Sequence, residues 1–311
     1  MKNLILVEHV RRKIDVRVER LLSDLGLPEP PLRLEDVRDR LELDIGFFQR
    51  EETGLLARTI HKIRVGTIQS FLRPTLVIEA VRKFNLRALC APDLKRILID
   101  QQVPELKHRW LTAHESIHQI LVWHHDVLLG DNEITPTASC HAKIEAVANY
   151  GAGQLLFLRQ RFFEEASSSS LDLKTLRGHA KTYGNTQTCT LWRAVELLGR
   201  DRPLLAVITH HPHFVRRPAE FDATNPCRYF IQSEAFAAQF SGVSEHEVFD
   251  HIVSYSGAQT GGPLGEEDII LTDDNGDEHV FVFETFFNRH EALTLAVHSH
   301  KRAVVVPVSA I

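Results

Sequence analysis

The run Trp110-Leu-Thr-Ala-His-Glu-Ser-Ile-His-Gln-Ile-Leu-Val-Trp123 decides how this chain is read, because it sets His114, Glu115 and His118 as H-E-x-x-H inside an apolar helical repeat. Residues four apart on an α-helix lie one above the other on one face, so two imidazoles can grip a tetrahedral cation while Glu115 sits beside its water. The pattern points to a zinc hydrolase. With 18 histidines among 311 residues, such a match arises by chance in roughly one chain in twelve, so the neighbouring sequence must decide. From Glu105 to Leu129 there is no glycine, and Pro104 stands just before the segment, where a helix tolerates it. Leu111, Ile117, Ile120 and Leu121 supply a face to bury.

Two imidazoles leave a catalytic zinc one protein ligand short. The segment Ala142 to Leu158 predicts a second helix, on which Glu145 and Asn149 are four apart and share a face. Its apolar positions Ile144, Val147, Ala148, Leu155 and Leu158 can pack in a core, and Ala142, Ala146, Gly151, Ala152 and Gly153 are small enough for close helix approach. Alone, Glu145 reads as a surface helix carboxylate; beside the upstream motif it reads as the third ligand.

The pairing of H-E-x-x-H with Glu145-Ala-Val-Ala-Asn149, followed by Leu155-Leu156, resembles the ImmA/IrrE family of metallopeptidases. The opening is similar too: Val18 to Gly26, then Pro28-Glu-Pro-Pro31, Leu34 to Leu41 and Ile45-Gly-Phe-Phe48 follow the family's helix, proline segment, helix and strand. The resemblance covers roughly residues 10 to 200. It implies an α+β fold with a zincin-like peptidase domain, Zn2+ held by His114, His118 and Glu145, Glu115 as general base, and Asn149 orienting a ligand from behind. The metal would polarise a peptide carbonyl and activate water, with Glu115 taking the proton and returning it to the leaving nitrogen. The chain departs from the family at Tyr150-Gly151-Ala152-Gly153, where an aromatic residue normally stands two positions after the Asn.

Composition fits a soluble cytoplasmic enzyme: 43% hydrophobic and 25% charged residues are ordinary for globular chains, and the length suggests about two domains. No apolar run reaches the roughly 18 residues of a membrane span, and the N-terminus lacks the order of a secretory signal. Cys90, Cys140, Cys189 and Cys227 are scattered, without metal or disulfide spacing, and are expected as thiols. A net charge of −5 argues against whole-surface binding of duplex DNA. Local basic clusters at Arg11 to Arg20, Arg216-Arg217 and Lys301-Arg302 read as solvated faces or as nucleic-acid contacts.

Two modules are expected, a peptidase domain over 1–200 and a smaller mixed α/β domain over 201–311. Ser167 to Ser170 read as a solvated loop, followed by helices over Leu173 to Tyr183 and Thr190 to Leu198. That pair could be a helix-turn-helix, but in the family it resembles a similar pair closes the peptidase domain, and that packing role is preferred because the second helix offers little beyond Arg193 to a groove. Strands are expected at Leu204 to Ile208, Asp268 to Leu271, His279 to Glu284, Leu293 to Val297 and Ala303 to Val308. Thr272-Asp-Asp-Asn-Gly-Asp-Glu278 reads as a hairpin turn rather than a cation loop.

A sheet domain after such a peptidase resembles the GAF-like sensor of the IrrE-type branch, and the architecture is similar to the CapP-type peptidases of anti-phage systems. The resemblance implies a helix-turn-helix transcriptional repressor as substrate and single-stranded DNA as effector, a signal of DNA damage or phage infection. Arg228-Tyr229-Phe230, Phe286-Phe287 with Arg289, and Phe214 with Arg216 and Arg217 are candidates for base stacking, or else core and rim. Other readings stay open: a non-catalytic regulator that binds DNA or a repressor, or a metal hydrolase with another substrate. Tyr150, His124 and His125 are oxyanion candidates by sequence proximity alone. Cys90, in Arg87-Ala-Leu-Cys-Ala-Pro-Asp93, loosely resembles the cysteine switch of matrix metalloproteinase propeptides; it is either an inhibitory zinc ligand or a small buried thiol.

Overall fold

Periodic burial of one apolar stripe produces the helices that matter here. In the computed structural model, whose described residues are 2–48, 88–91, 95–121 and 138–302, the chain divides into two units, Leu6–Arg159 and Gln160–Ile311 with Met1–Ile5. Both units mix helix and sheet, so the α+β class expected from the sequence holds. Among the described residues no helix is long and apolar enough to cross a membrane.

The first unit opens with α1 (Glu8–Asp24), which buries Ile14, Val18, Leu21 and Leu22, the spacing of a single helix face. Next come α2 (Leu34–Leu41), closed by Glu42 at φ 56°, and β1 (Asp44–Phe48). Strands β2 (Ala88–Ala91) and β3 (Arg96–Asp100) complete a three-stranded sheet in the order β1-β3-β2. β1 runs parallel to β3 and β2 antiparallel to it. Leu43, Ala88, Ile97 and Ile99 form a small core with Leu111 from α3 (Glu105–Ile120).

Helix α4 (Ala138–Leu156) packs against α3. The contact is close at one place: a Cβ added to Gly151 would lie 2.7 Å from Cγ2 of Ile117, which is itself fully buried. The small residue expected to permit helix approach is therefore Gly151.

In the second unit, α5 (Gln160–Ser167), α6 (Leu173–Thr182) and α7 (Gln187–Leu198) precede β4 (Leu204–Thr209). Asp172 and Thr186 cap α6 and α7 by accepting from the backbone N–H groups of Thr175 and Cys189. Both helices, expected to close a peptidase domain over 1–200, instead group with the C-terminal sheet and pack on it. Then follow β5 (Cys227–Gln232), α8 (Glu234–Gln239), α9 (Glu245–Tyr255), β6 (Gly262–Thr272), β7 (Glu278–Phe287) and β8 (Ala292–Lys301). The sheet order is β5-β4-β8-β7-β6, antiparallel throughout. Phe230, Phe236, Phe240, Val248, Phe249, Ile252, Phe281 and Phe283 build its core.

The turn from β6 to β7 is the hairpin expected at Thr272–Glu278. Asp273 Oδ1 accepts from the N–H groups of Asn275 and Asp277, and Gly276 takes φ +87°, where a side chain is disfavoured. β5, α8 and α9 were not anticipated, although Ser244 and Glu247 form a capping box that the sequence displays. The strand expected at Ala303 to Val308 lies outside the described residues. At the other end of the chain, Asn3 clamps the outer edge of β5: its side chain accepts from Gln232 N–H at 2.8 Å and donates to Gln232 O at 3.0 Å.

Two glycines test this packing with opposite signs. Gly151→Val is expected to cost about 1–3 kcal/mol through overpacking against Ile117. Gly178→Ala, in α6 with nothing near the added methyl, should stabilise by about 0.4–1 kcal/mol because the unfolded chain loses freedom. Thermal or urea denaturation of the two variants measures both.

Candidate metal centre

The helix α3 has 3.6 residues per turn, and that geometry brings His114 and His118 together without help from elsewhere. Their Nε2 atoms lie 3.1 Å apart, the rings meet edge to face, and both side chains are buried. Glu115, between them in sequence, is buried as well. Ile117, one residue before His118, packs against Gly151. Ile117 stands about 60° around the helix from His114, so the seam with α4 and the His-Glu cluster lie side by side.

Glu145 arrives from α4. Its Oε2 is 3.1 Å from His114 Nε2 and its Oε1 is 3.8 Å from His118 Nε2. Among the described residues, His114, His118 and Glu145 are the group of three that could hold a metal ion, with ligand atoms within 4.8 Å of one another. A tetrahedral cation with bonds of about 2.05 Å separates its ligand atoms by about 3.3 Å. His118 Nε2 and Glu145 Oε2 each lie 3.1 Å from His114 Nε2, close to that value, while the 3.8 Å contact to His118 is made by the other carboxylate oxygen, Oε1.

Asn149, one turn after Glu145, accepts from His114 Nδ1–H at 3.0 Å through its Oδ1. That bond fixes the tautomer of His114, leaving the Nε2 lone pair aimed at the carboxylate. Lone pairs of an imidazole and a carboxylate repel unless a cation sits between them. Burial lowers the His114 pKa, but hydrogen bonding and charge from Glu145, then the charge of Glu115 and the bond to Asn149, outweigh it and hold the pKa above the ordinary 6.5. A single proton can bridge one pair of these atoms. A divalent cation serves all three, and the set of two nitrogens and one carboxylate suits zinc chemistry.

The structure therefore gathers His114, Glu115, His118, Glu145 and Asn149 into one place, as expected. Tyr150 is different. Its hydroxyl donates to Asp15 Oδ1 at 3.1 Å on α1, so it is not an oxyanion donor at this site. Proximity in sequence misled here; at 100° per residue Tyr150 stands about 140° around α4 from Glu145. His124 and His125 lie outside the described residues. Cys90 pairs with Ile97 in β2, and its side chain lies outside the described residues.

The candidate stacking clusters of the second unit separate into core and surface. Phe230 is fully buried, Arg228 is paired with Glu291, and Phe286 is buried with Arg177 over its ring at 3.8 Å. Arg217 donates to Pro212 O and lies over Phe221, while Arg216 donates to Ala258 O. Phe214 and Val215 are 73% and 62% exposed. Of the aromatics named from the sequence, Phe214 is thus the one displayed to solvent on this scale.

No family model and no curated protein matches the chain. A solved structure described as a Mycobacterium tuberculosis transcriptional regulator is similar in fold, with a TM-score of 0.51 at 14% identity, covering 94% of this chain and 81% of that one.

Proposed function

We propose that the protein is a zinc-dependent endopeptidase whose site is His114, Glu115, His118 and Glu145. The observation that carries this reading is the arrival of the Glu145 carboxylate 3.1 Å from the Nε2 of His114, on the helix face that also bears His118. Zinc, when bound, supplies a Lewis acid that lowers the pKa of water and polarises a carbonyl. His114 and His118 bind as neutral imidazoles, and Asn149 keeps the His114 proton on Nδ1. Glu115 is the only carboxylate of H-E-x-x-H and acts as the base: its carboxylate accepts the proton of the attacking water and passes it to the leaving amide nitrogen.

The resemblance to ImmA/IrrE metallopeptidases supports a helix-turn-helix transcriptional repressor as the substrate and single-stranded DNA as the effector, read by a GAF-like second unit. The fold neighbour described as a transcriptional regulator is compatible with a regulatory setting. That description also favours a second reading, a non-catalytic regulator in which the same residues hold a structural metal. Substitution of Glu115 separates the two.

Elemental analysis is expected to find one zinc per chain. Glu115→Gln should retain the metal and lose cleavage by about 10²–10⁴-fold, since Gln keeps the shape without the base; full activity in that variant refutes the mechanism. Glu145→Ala should lose zinc, and Asn149→Leu should weaken zinc binding by about 10–100-fold. Incubation with the repressor encoded nearest to the gene, with and without single-stranded DNA, tests substrate and effector together. A DNA effect should fade steeply as salt rises, because phosphate contacts release counterions.

A further inference from the structure

We infer that Asp15 is a positioning residue for the metal site, holding α4 from behind so that Glu145 and Asn149 stay aimed at His114. The inference rests on the metallopeptidase reading and adds to it a residue remote from the ligands in sequence.

Asp15 lies on α1, and its side chain is only 13% exposed. Its Oδ1 accepts from Tyr150 Oη–H at 3.1 Å and from Gln154 Nε2–H at 2.6 Å. Gln154 also donates to Tyr150 Oη at 2.5 Å, and Arg159 stands 3.7 Å from Asp15 Oδ2 while pairing with Glu19 at 2.7 Å. Tyr150 and Gln154 are both buried. A carboxylate taken out of water is costly unless charged or hydrogen-bonded partners surround it. Here the partners come from a single stretch, 150 to 159, at the C-terminal end of α4 and just beyond it.

The azimuths explain the effect. Gln154 follows Glu145 by nine residues, about two and a half turns, and so sits on the opposite side of α4. Gly151 faces Ile117 of α3 on a third side. The helix is thereby gripped at two points, and neither is the metal face. A side chain reaches about 5–6 Å from the helix axis, so a rotation of about 10° swings the Glu145 carboxylate by about 1 Å. Metal sites tolerate about 0.2 Å. Apolar packing around Gly151 resists translation, but the directional bonds to Asp15 resist rotation.

The test compares the full-length wild type with Asp15→Asn and Tyr150→Phe, reading zinc affinity by chelator competition and the visible spectrum of the Co2+-loaded protein, at a temperature where circular dichroism shows each chain folded. Asp15→Asn is expected to bind zinc at least tenfold more weakly and to change the Co2+ bands. Wild type brought to the same stability with dilute urea should keep its affinity within twofold. A variant that loses thermal stability while matching wild type in zinc affinity and Co2+ spectrum reduces Asp15 to a packing role and overturns the inference. If Asp15→Asn does not fold, Tyr150→Phe carries the test, with at least threefold weaker zinc binding expected and unchanged binding overturning it. Wild type that takes up no zinc refutes the metal reading itself, and this inference with it.

Discussion

The approach of two helices at Gly151 and Ile117 is the contact on which the rest of the first unit depends. A single helix can offer two ligands four residues apart, because that spacing is what 3.6 residues per turn brings into line. A third must come from another segment, and ordinary side chains keep helix axes about 8–10 Å apart. With Gly151 the Ile117 side chain comes within 2.7 Å of where a Cβ would stand. Glu145 and Asn149, six and two residues earlier on α4, are carried to His114 by that same contact.

Electrostatics makes the arrangement conditional. Two imidazoles and two carboxylates, Glu115 and Glu145, share a poorly solvated region, where charge is expensive unless compensated. The bond from His114 to Asn149 settles where one proton sits, and by doing so leaves the facing lone pair in need of a cation. A cation bound at the centre would couple binding to folding by relieving the repulsion among these groups. In the second unit the aromatic and aliphatic core lies beside buried hydroxyls that satisfy one another, Thr285 with Thr294 at 2.8 Å.

The cluster was legible in the sequence because helix periodicity is short-ranged and regular: the residues at 114, 118 and 145 and the partner at 149 each follow from spacing on a helix or from resemblance. Tyr150 shows the limit. Its neighbour relation to Asn149 placed it near the metal, while its azimuth turns it toward Asp15, 135 positions earlier in the chain. Such a contact has no local signature. In the second unit, β6, β7 and β8 were visible through alternation, as was the Asn275-Gly276 turn. β5 escaped because Arg228, Tyr229 and Phe230 read equally well as an exposed cluster, and only the sheet decides that Phe230 points inward. The short α8 has too few turns for a periodic signal, whereas α9 carried a capping box that could have marked its start.

Asn3 reaches across 229 positions to the backbone of Gln232, and this gives the chain an order in time. The unit that contains the five-stranded sheet takes in residues up to Ile5 and resumes at Gln160, so the unit with the candidate metal centre is inserted into it. During synthesis the inserted unit is made before β5 exists and can collapse before it, since domains generally fold as units in the order they are made. Lys2 and Asn3 must wait. They find their place on the edge of β5 only after that strand has been made, closing a loop whose entropic cost grows slowly with length and shielding an edge that would otherwise be open to pairing with another chain.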